Sequence, residues 1–296
     1  MKLYIHYLDS PEPLIQKTYD DAIHYCMRAF EMPGQVSMIG YSDINVIYTH
    51  LKTIDWERYP NLRFVLCPCT NYDHLKPIPE GIEVIYLNDP EFLYTYIKST
   101  AEWTIYSMLT LLRNNRDELS GSKVGLIGYG RIGQQVASML KGFDCSVYYF
   151  DKKEPKFNTS IFPTKQHDIK SIFSFADIIS VHLSVNEETK GIIDKKCFDY
   201  IGEQRPYFIN SSRSCIVEPN SLISAIWDKK LSGVALDVIE DYTPEQKNTL
   251  YDFTREHYAN TVITPHIAGR CRPSRAMTDT FVLNKLLYKE GVNDEN

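Results

Sequence analysis

Short apolar runs alternate along this chain with stretches in which apolar residues recur every three or four positions. That alternation predicts strands and helices in turn. In the first part, strands are expected at residues 2–8, 35–39, 46–50, 64–67 and 83–87, with a helix over 14–30 and a shorter helical stretch over 55–59. Such an order implies an open parallel sheet. Pro77, Pro79, Gly81 and Pro90 punctuate its later part. Ser99-Thr100-Ala101-Glu102 then fits the S-x-x-E capping box and opens a helix reaching about residue 113. Ala101, Trp103, Ile105, Met108, Leu109, Leu111 and Leu112 cover most of that helix, which predicts burial on nearly all sides and a bridge between domains or subunits. Further strands are expected at 123–127, 146–150, 178–181, 207–209, 233–236 and 262–264. Helices are expected at 134–141, 194–201 and 219–229, the last with Pro219 at its first position. A helical tail over 274–288 is expected to pack back on the first domain.

Between the run at 123–127 and the helix from Gln134 lies Gly128-Tyr129-Gly130-Arg131-Ile132-Gly133. A G-x-G-x-x-G turn between a strand and a helix is a dinucleotide-binding signature. Gly128 permits the tight turn, Gly130 lets backbone approach a pyrophosphate, and Gly133 lets helix pack on strand. The helix N-terminus, at Arg131 and Ile132, offers N–H groups and a positive dipole end to the phosphates. Eighteen residues beyond Gly133 the next apolar run ends on Asp151, whose carboxylate would accept the ribose hydroxyls and favours NAD. Lys152 and Lys153 leave NADP open.

Composition narrows the classes. The 296 residues suffice for roughly two domains. With 43% apolar and 24% charged residues the chain has a globular composition. A net charge of −6 without a basic block argues against nucleic acid. No apolar run reaches the ~18 residues a membrane helix needs, and the opening residues read as a strand rather than a signal peptide. Seven scattered cysteines with no C-x-x-C pair, and histidines without metal-ligand spacing, point to a reducing compartment, taken as the cytoplasm, and to no metal.

Ligands of an open α/β sheet bind beyond the carboxyl ends of its strands. Gly128, Asp151, His182, Asn210 to Arg213 (Ser211 among them), Asp237 and His266 each follow an expected strand. Oxidising an alcohol carbon needs a base for the hydroxyl proton, which a histidine supplies. A substrate carboxylate calls for a cation, and arginine offers a planar fork. His266 and Arg213 are therefore the catalytic candidates, with Asp237 near a nicotinamide carboxamide.

These residues, with Thr100-Ala101-Glu102, 176–183, Glu188-Thr189-Lys190-Gly191, 209–213, 234–238 and Thr264-Pro265-His266-Ile267-Ala268-Gly269, resemble the NAD-dependent D-isomer-specific 2-hydroxyacid dehydrogenases. The resemblance implies an α/β protein of two doubly wound parallel-sheet domains, a Rossmann NAD-binding domain inserted into a flavodoxin-like substrate domain. Its boundaries would fall at residues 1–98, 99–271 and 272–296, with the active site in the cleft between the domains. It implies interconversion of a small D-2-hydroxyacid and its 2-keto acid, and a homodimer. By the same resemblance Arg213 binds substrate, His266 is the acid/base, and Thr70 and Asn71 lie in the loop whose backbone N–H groups hold the carboxylate. Asparagine stands where glycine is frequent and tolerates a left-handed backbone.

The chain also departs from the family pattern. Tyr242 stands where a glutamate usually pairs with the catalytic histidine, so Glu240 or Asp241 takes that place, His266 works alone, or catalysis is impaired. Ser214 replaces the glycine after the arginine, Ser184 replaces a proline, and Trp103 a histidine. Two alternatives follow: a catalytically weak NAD(H)-binding regulatory protein, and an NADPH-preferring reductase of glyoxylate or hydroxypyruvate.

Overall fold

The computed structural model describes residues 5–7, 42, 44–50, 52–155, 163–255 and 259–290; the helix expected over 14–30 and the strand over 35–39 lie outside them. The chain divides into two compact units, one made of Met1–Tyr96 with Arg272–Asn296 and the other of Ile97–Cys271. Both carry parallel sheets with helices, so the fold is α/β.

In the first unit, β1 (Ile5–Tyr7), β2 (Val46–Tyr48), β3 (Phe64–Cys67) and β4 (Glu83–Tyr86) pair in that order, all parallel. Every residue of β2 and β3 is buried, as expected of unbroken apolar strands covered on both faces. The expected helix over 55–59 is a single 3-10 turn, Trp56–Arg58. Helix α1 (Pro90–Tyr96) was not foreseen. The C-terminal helix (Arg272–Lys289) packs on β3 and β4. Within this unit Tyr48 donates to Asp279 at 2.5 Å, and Phe92 stacks on Phe281 at 4.5 Å.

The second unit holds β5 (Lys123–Ile127), β6 (Ser146–Phe150), β7 (Thr164–Lys165), β8 (Ile178–Val181), β9 (Tyr207–Asn210), β10 (Gly233–Leu236) and β11 (Thr261–Ile263). Across the sheet they run β7-β6-β5-β8-β9-β10-β11, all parallel. Strand order therefore reverses between β5 and β8, the switch point where a doubly wound sheet opens a crevice. Phe198 meets Phe173 and Phe208 edge to face at 5.5 and 5.6 Å, and those two rings are tilted to each other at 6.3 Å.

Helix α2 (Ser99–Asn115) corrects two expectations. It starts at Ser99 itself, after Lys98 in the right-handed helical region, and Glu102 N–H bonds the Lys98 carbonyl. Ser99 thus lies inside the helix, not in the capping position, and its buried hydroxyl has no partner. The helix is also not buried all round: Tyr106 is 57% and Leu109 40% exposed, while Ala101, Trp103, Met108 and Leu111 are buried. Apolar residues distributed around a helix do not specify how many neighbours it has. Among the described residues no helix is long and apolar enough to cross a membrane.

Candidate functional site

Helix α3 (Arg131–Leu140) follows β5 through the glycine turn. Gly128 sits at φ +97°, and a Cβ there would come within 2.7 Å of the His182 carbonyl, so only glycine fits. A Cβ at Gly133 would overlap the carbonyl oxygen of Gly128, which is how closely the helix docks on the turn. At Gly130, by contrast, a Cβ would meet nothing within 4 Å. The backbone is open on that side, and Gly130 supplies no side-chain cap to the first N–H groups of α3. An uncapped helix start beside bare backbone fits a pyrophosphate. A cleft of about 220 Å³ opens here, with Gly130, Arg131, Asp151, His182 and Thr189 among its lining.

Asp151, at the end of β6, accepts from Tyr129 N–H at 2.7 Å and from Lys153 N–H at 2.8 Å. It ties the glycine turn to the neighbouring strand, and each carboxylate oxygen keeps a lone pair for a ligand. Lys152 pairs with Glu188 at 2.8 Å, so its charge is already met. Arg131 donates to the Ile97 carbonyl at 3.0 Å; burial pushes its guanidinium down to about 10, still a cation at neutral pH.

His182 follows β8 and is buried; Nε2 lies 2.9 Å from the Ser180 hydroxyl, and Nδ1 has no partner. Burial pushes its pKa down to about 3, so the ring is neutral at physiological pH. Beyond β9, fully buried Asn210 accepts from Ser212 N–H (3.0 Å) and hydroxyl (2.6 Å) and donates to the Arg213 carbonyl at 3.1 Å. That knot fixes the turn carrying Ser211 and Arg213. Thr104 donates to the Thr100 carbonyl, so at 3.3 Å Ser211 is the donor to Thr104 and turns lone pairs elsewhere. Arg213 is exposed, donates to the Ser212 carbonyl at 2.7 Å, and has no carboxylate partner among the described residues.

Asp237, 1% exposed, accepts from the Thr264 hydroxyl at 2.5 Å, Ile267 N–H at 2.8 Å and Ala268 N–H at 2.9 Å. It binds the loop that carries His266, whose backbone is left-handed at φ +55°. His266 Nδ1 lies 2.6 Å from Glu240 Oε1. Burial works against the Glu240 charge, but the hydrogen bond from His266 and the nearby Arg213 cation hold its carboxyl below the usual range. Tyr242 is buried in the core behind the sheet, its hydroxyl unpartnered and its pKa raised by burial. The carboxylate at His266 therefore comes from two residues before the position where the family pattern places it. Among the three candidates, the structure selects Glu240.

In the first unit, the loop after β3 carries Thr70 and Asn71. Asp73 N–H donates to Asn71 Oδ1 at 2.6 Å, closing an Asx turn, and Lys76 pairs with Asp73 at 2.6 Å. Asn71 is not left-handed, so the backbone tolerance expected of it is unused; its side chain shapes the turn instead.

Several features were not foreseen: the Asn210 knot, the loop bonds to Asp237, and a clasp between Ser214 and Asp241. Asn before a Ser-Ser pair at a strand end is the one signal that could have suggested the knot.

Comparison with known proteins bears on the family and the fold. Residues 98–268 match the family described as D-isomer specific 2-hydroxyacid dehydrogenase, NAD binding domain, and the cofactor is accordingly NAD. A Bacillus subtilis protein bearing the name of a 2-hydroxyacid dehydrogenase, YoaD, is 35% identical over 188 residues, 64% of this chain and 52% of the relative. The chain thus spans about half the length of such relatives. A glyoxylate reductase of Thermofilum pendens is 27% identical over 71% of this chain and 66% of its own. The NAD complex of a D-isomer specific 2-hydroxyacid dehydrogenase from Lactobacillus delbrueckii ssp. bulgaricus superposes with a TM-score of 0.78 at 20% identity, covering 100% and 99% of the two chains, a likeness of fold.

Proposed function

This chain belongs to the D-isomer specific 2-hydroxyacid dehydrogenase family, and we propose that it interconverts a small D-2-hydroxyacid and its 2-keto acid with NAD. Bound NAD supplies the oxidant for the alcohol carbon or, reduced, the reductant for the carbonyl. The glycine turn and the first N–H groups of α3 hold the pyrophosphate, with Arg131 beside it, and Asp151 takes the ribose hydroxyls. His182 and Ser211 line the same sheet edge, and Asp237 holds the 264–268 loop with an acceptor position left for the nicotinamide carboxamide.

The observation that carries the reading is the His266–Glu240 contact at 2.6 Å on the edge that bears the glycine turn. Nδ1 is committed to Glu240, which leaves Nε2 for substrate. In reduction Nε2–H gives its proton to the carbonyl oxygen; in oxidation Nε2 takes the hydroxyl proton. Glu240 orients the ring and stabilises its cationic form. Arg213, free of a competing carboxylate, binds the substrate carboxylate with its fork.

The test is NADH oxidation with glyoxylate, hydroxypyruvate, pyruvate, phosphohydroxypyruvate and 2-ketoglutarate, alongside NADH binding by fluorescence. Turnover on one acid, lowered about 10²-fold or more in His266→Ala with NADH binding retained, is the expected outcome. Tight NADH binding with no turnover on any acid would favour a regulatory protein, a reading that rested on Tyr242 and loses its support once Glu240 meets His266. The Lys152–Glu188 pair similarly weighs against an NADPH preference. The outward face of α2, with Tyr106 and Leu109, supports a homodimer; sedimentation as a monomer at micromolar concentration would reject it.

A further inference from the structure

The residue after Arg213 and the residue after Glu240 are bonded to each other twice. Ser214 hydroxyl donates to Asp241 Oδ2 at 2.5 Å, and Asp241 N–H returns to the Ser214 oxygen at 3.3 Å. Ser214 is 1% exposed, in a one-turn 3-10 helix (Ser214–Ile216) that starts directly after Arg213. On the other side of Asp241, the Tyr242 ring is seated in the core at 4% exposure. Lys247 Nζ holds the Glu240 carbonyl at 2.7 Å. The main chain around Glu240 is thus pinned at three successive residues, while its carboxylate remains half exposed and free to meet His266.

We propose that the reciprocal Ser214–Asp241 bond is a positioning clasp that sets Glu240 against His266 and couples that pair to the turn aiming Arg213. Neither clasp residue touches the reacting atoms. Asp241 is exposed, and its carboxylate looks back at Ser214 instead of outward. A carboxylate at 241 that only solvated the surface would have no need of a buried hydroxyl. With Tyr242 seated in the core and Lys247 on the Glu240 carbonyl, the clasp is the remaining tie on this short segment. A carboxylate–hydroxyl bond is of the stronger, charge-assisted kind, suited to fixing a short loop.

The proposal rests on the acid/base reading of His266, so its test separates the two. Ser214→Ala and Asp241→Ala are compared with Asp241→Asn, whose amide oxygen still accepts from Ser214, and each is repeated in a Glu240→Gln background. Turnover on the preferred 2-keto acid of the panel should fall about tenfold in the two alanine variants and recover to within about threefold in Asp241→Asn, with the NADH dissociation constant unchanged. In the Glu240→Gln background the same alanine changes should have no further effect, because groups acting through one another are not additive. The His266 ring resonances, assigned by their loss in His266→Ala, should move in Ser214→Ala in the direction they move in Glu240→Gln. Full turnover in Ser214→Ala and Asp241→Ala, or an equal loss in both backgrounds, would overturn the clasp. Ring resonances unmoved in Ser214→Ala would overturn it even in an enzyme with no measurable turnover. Full turnover in Glu240→Gln would instead overturn the role given to Glu240, a separate failure. Asp241→Ala carries the test if Ser214→Ala does not fold.

Discussion

Two carboxylates beyond β10 are three residues apart and live opposite lives. Asp237 is enclosed, with three donors on it, all from the 264–268 segment. Glu240 is half exposed, with one side-chain partner, the His266 ring. Both serve His266, the first by building the backbone under it and the second by meeting its nitrogen. A buried carboxylate held by three donors from one segment is fixed in place, so it makes architecture. One at the edge of solvent can change its interactions as a neighbouring proton moves, which suits the part proposed for Glu240.

The sharpest way to break this contrast is Asp237→Ala. It would leave two backbone N–H groups and a hydroxyl without their acceptor, at about 1–3 kcal/mol each. We expect at least about 3 kcal/mol less stability in urea denaturation together with loss of turnover; unchanged stability would erase the distinction. Glu240→Gln is the complement. Turnover should fall about tenfold or more, whereas the stability measured in urea should change by less than about 1 kcal/mol, as for exposed ion pairs. A large loss of stability there would make Glu240 architectural too.

His182 extends the comparison to a buried base. Its folded pKa of about 3 lies below the ordinary 6.5, so the unfolded chain binds a proton that the folded chain refuses. Stability therefore falls as the pH drops from about 6.5 toward about 3, at up to about 1.4 kcal/mol per pH unit. In His182→Gln the difference in melting temperature between pH 7.5 and 5.5 should shrink; an unchanged difference would show that other groups set it. The smallest effect is expected at the exposed rim. Glu188→Gln releases Lys152 and should improve NADPH binding a few-fold at most, leaving NADH unaltered, when the two are titrated side by side.

Much of the nucleotide half was legible in sequence because its constraints are local. Gly128, Gly133 and Asp151 are dictated by a turn, a helix contact and a strand end within a single β-α-β unit. Strand positions followed from unbroken apolar runs such as Phe64–Cys67. What escaped depends on residues far apart in the chain. Glu240 could not be chosen over Asp241 and Tyr242, since the choice turns on which side chain the core accepts, and the core took the tyrosine. The exposed face of α2 was misread for the same reason: composition gives what could be buried, and neighbours decide what is. The Ser99 cap failed because Lys98 is already in the right-handed helical region, so the helix starts at Ser99 and not after it.

The left-handed main chain at His266 bears on how any inactive form of this protein should be made. A branched or bulky residue rests there at a loss of roughly 1–2 kcal/mol, tolerated because Asp237 ties down both following amides. Asparagine and glycine suit that conformation better than alanine does. His266→Asn should consequently melt above His266→Ala while being equally unable to move the proton, so the histidine proposed as acid/base would mark a point where the sequence has accepted a less stable chain in return for a reactive one.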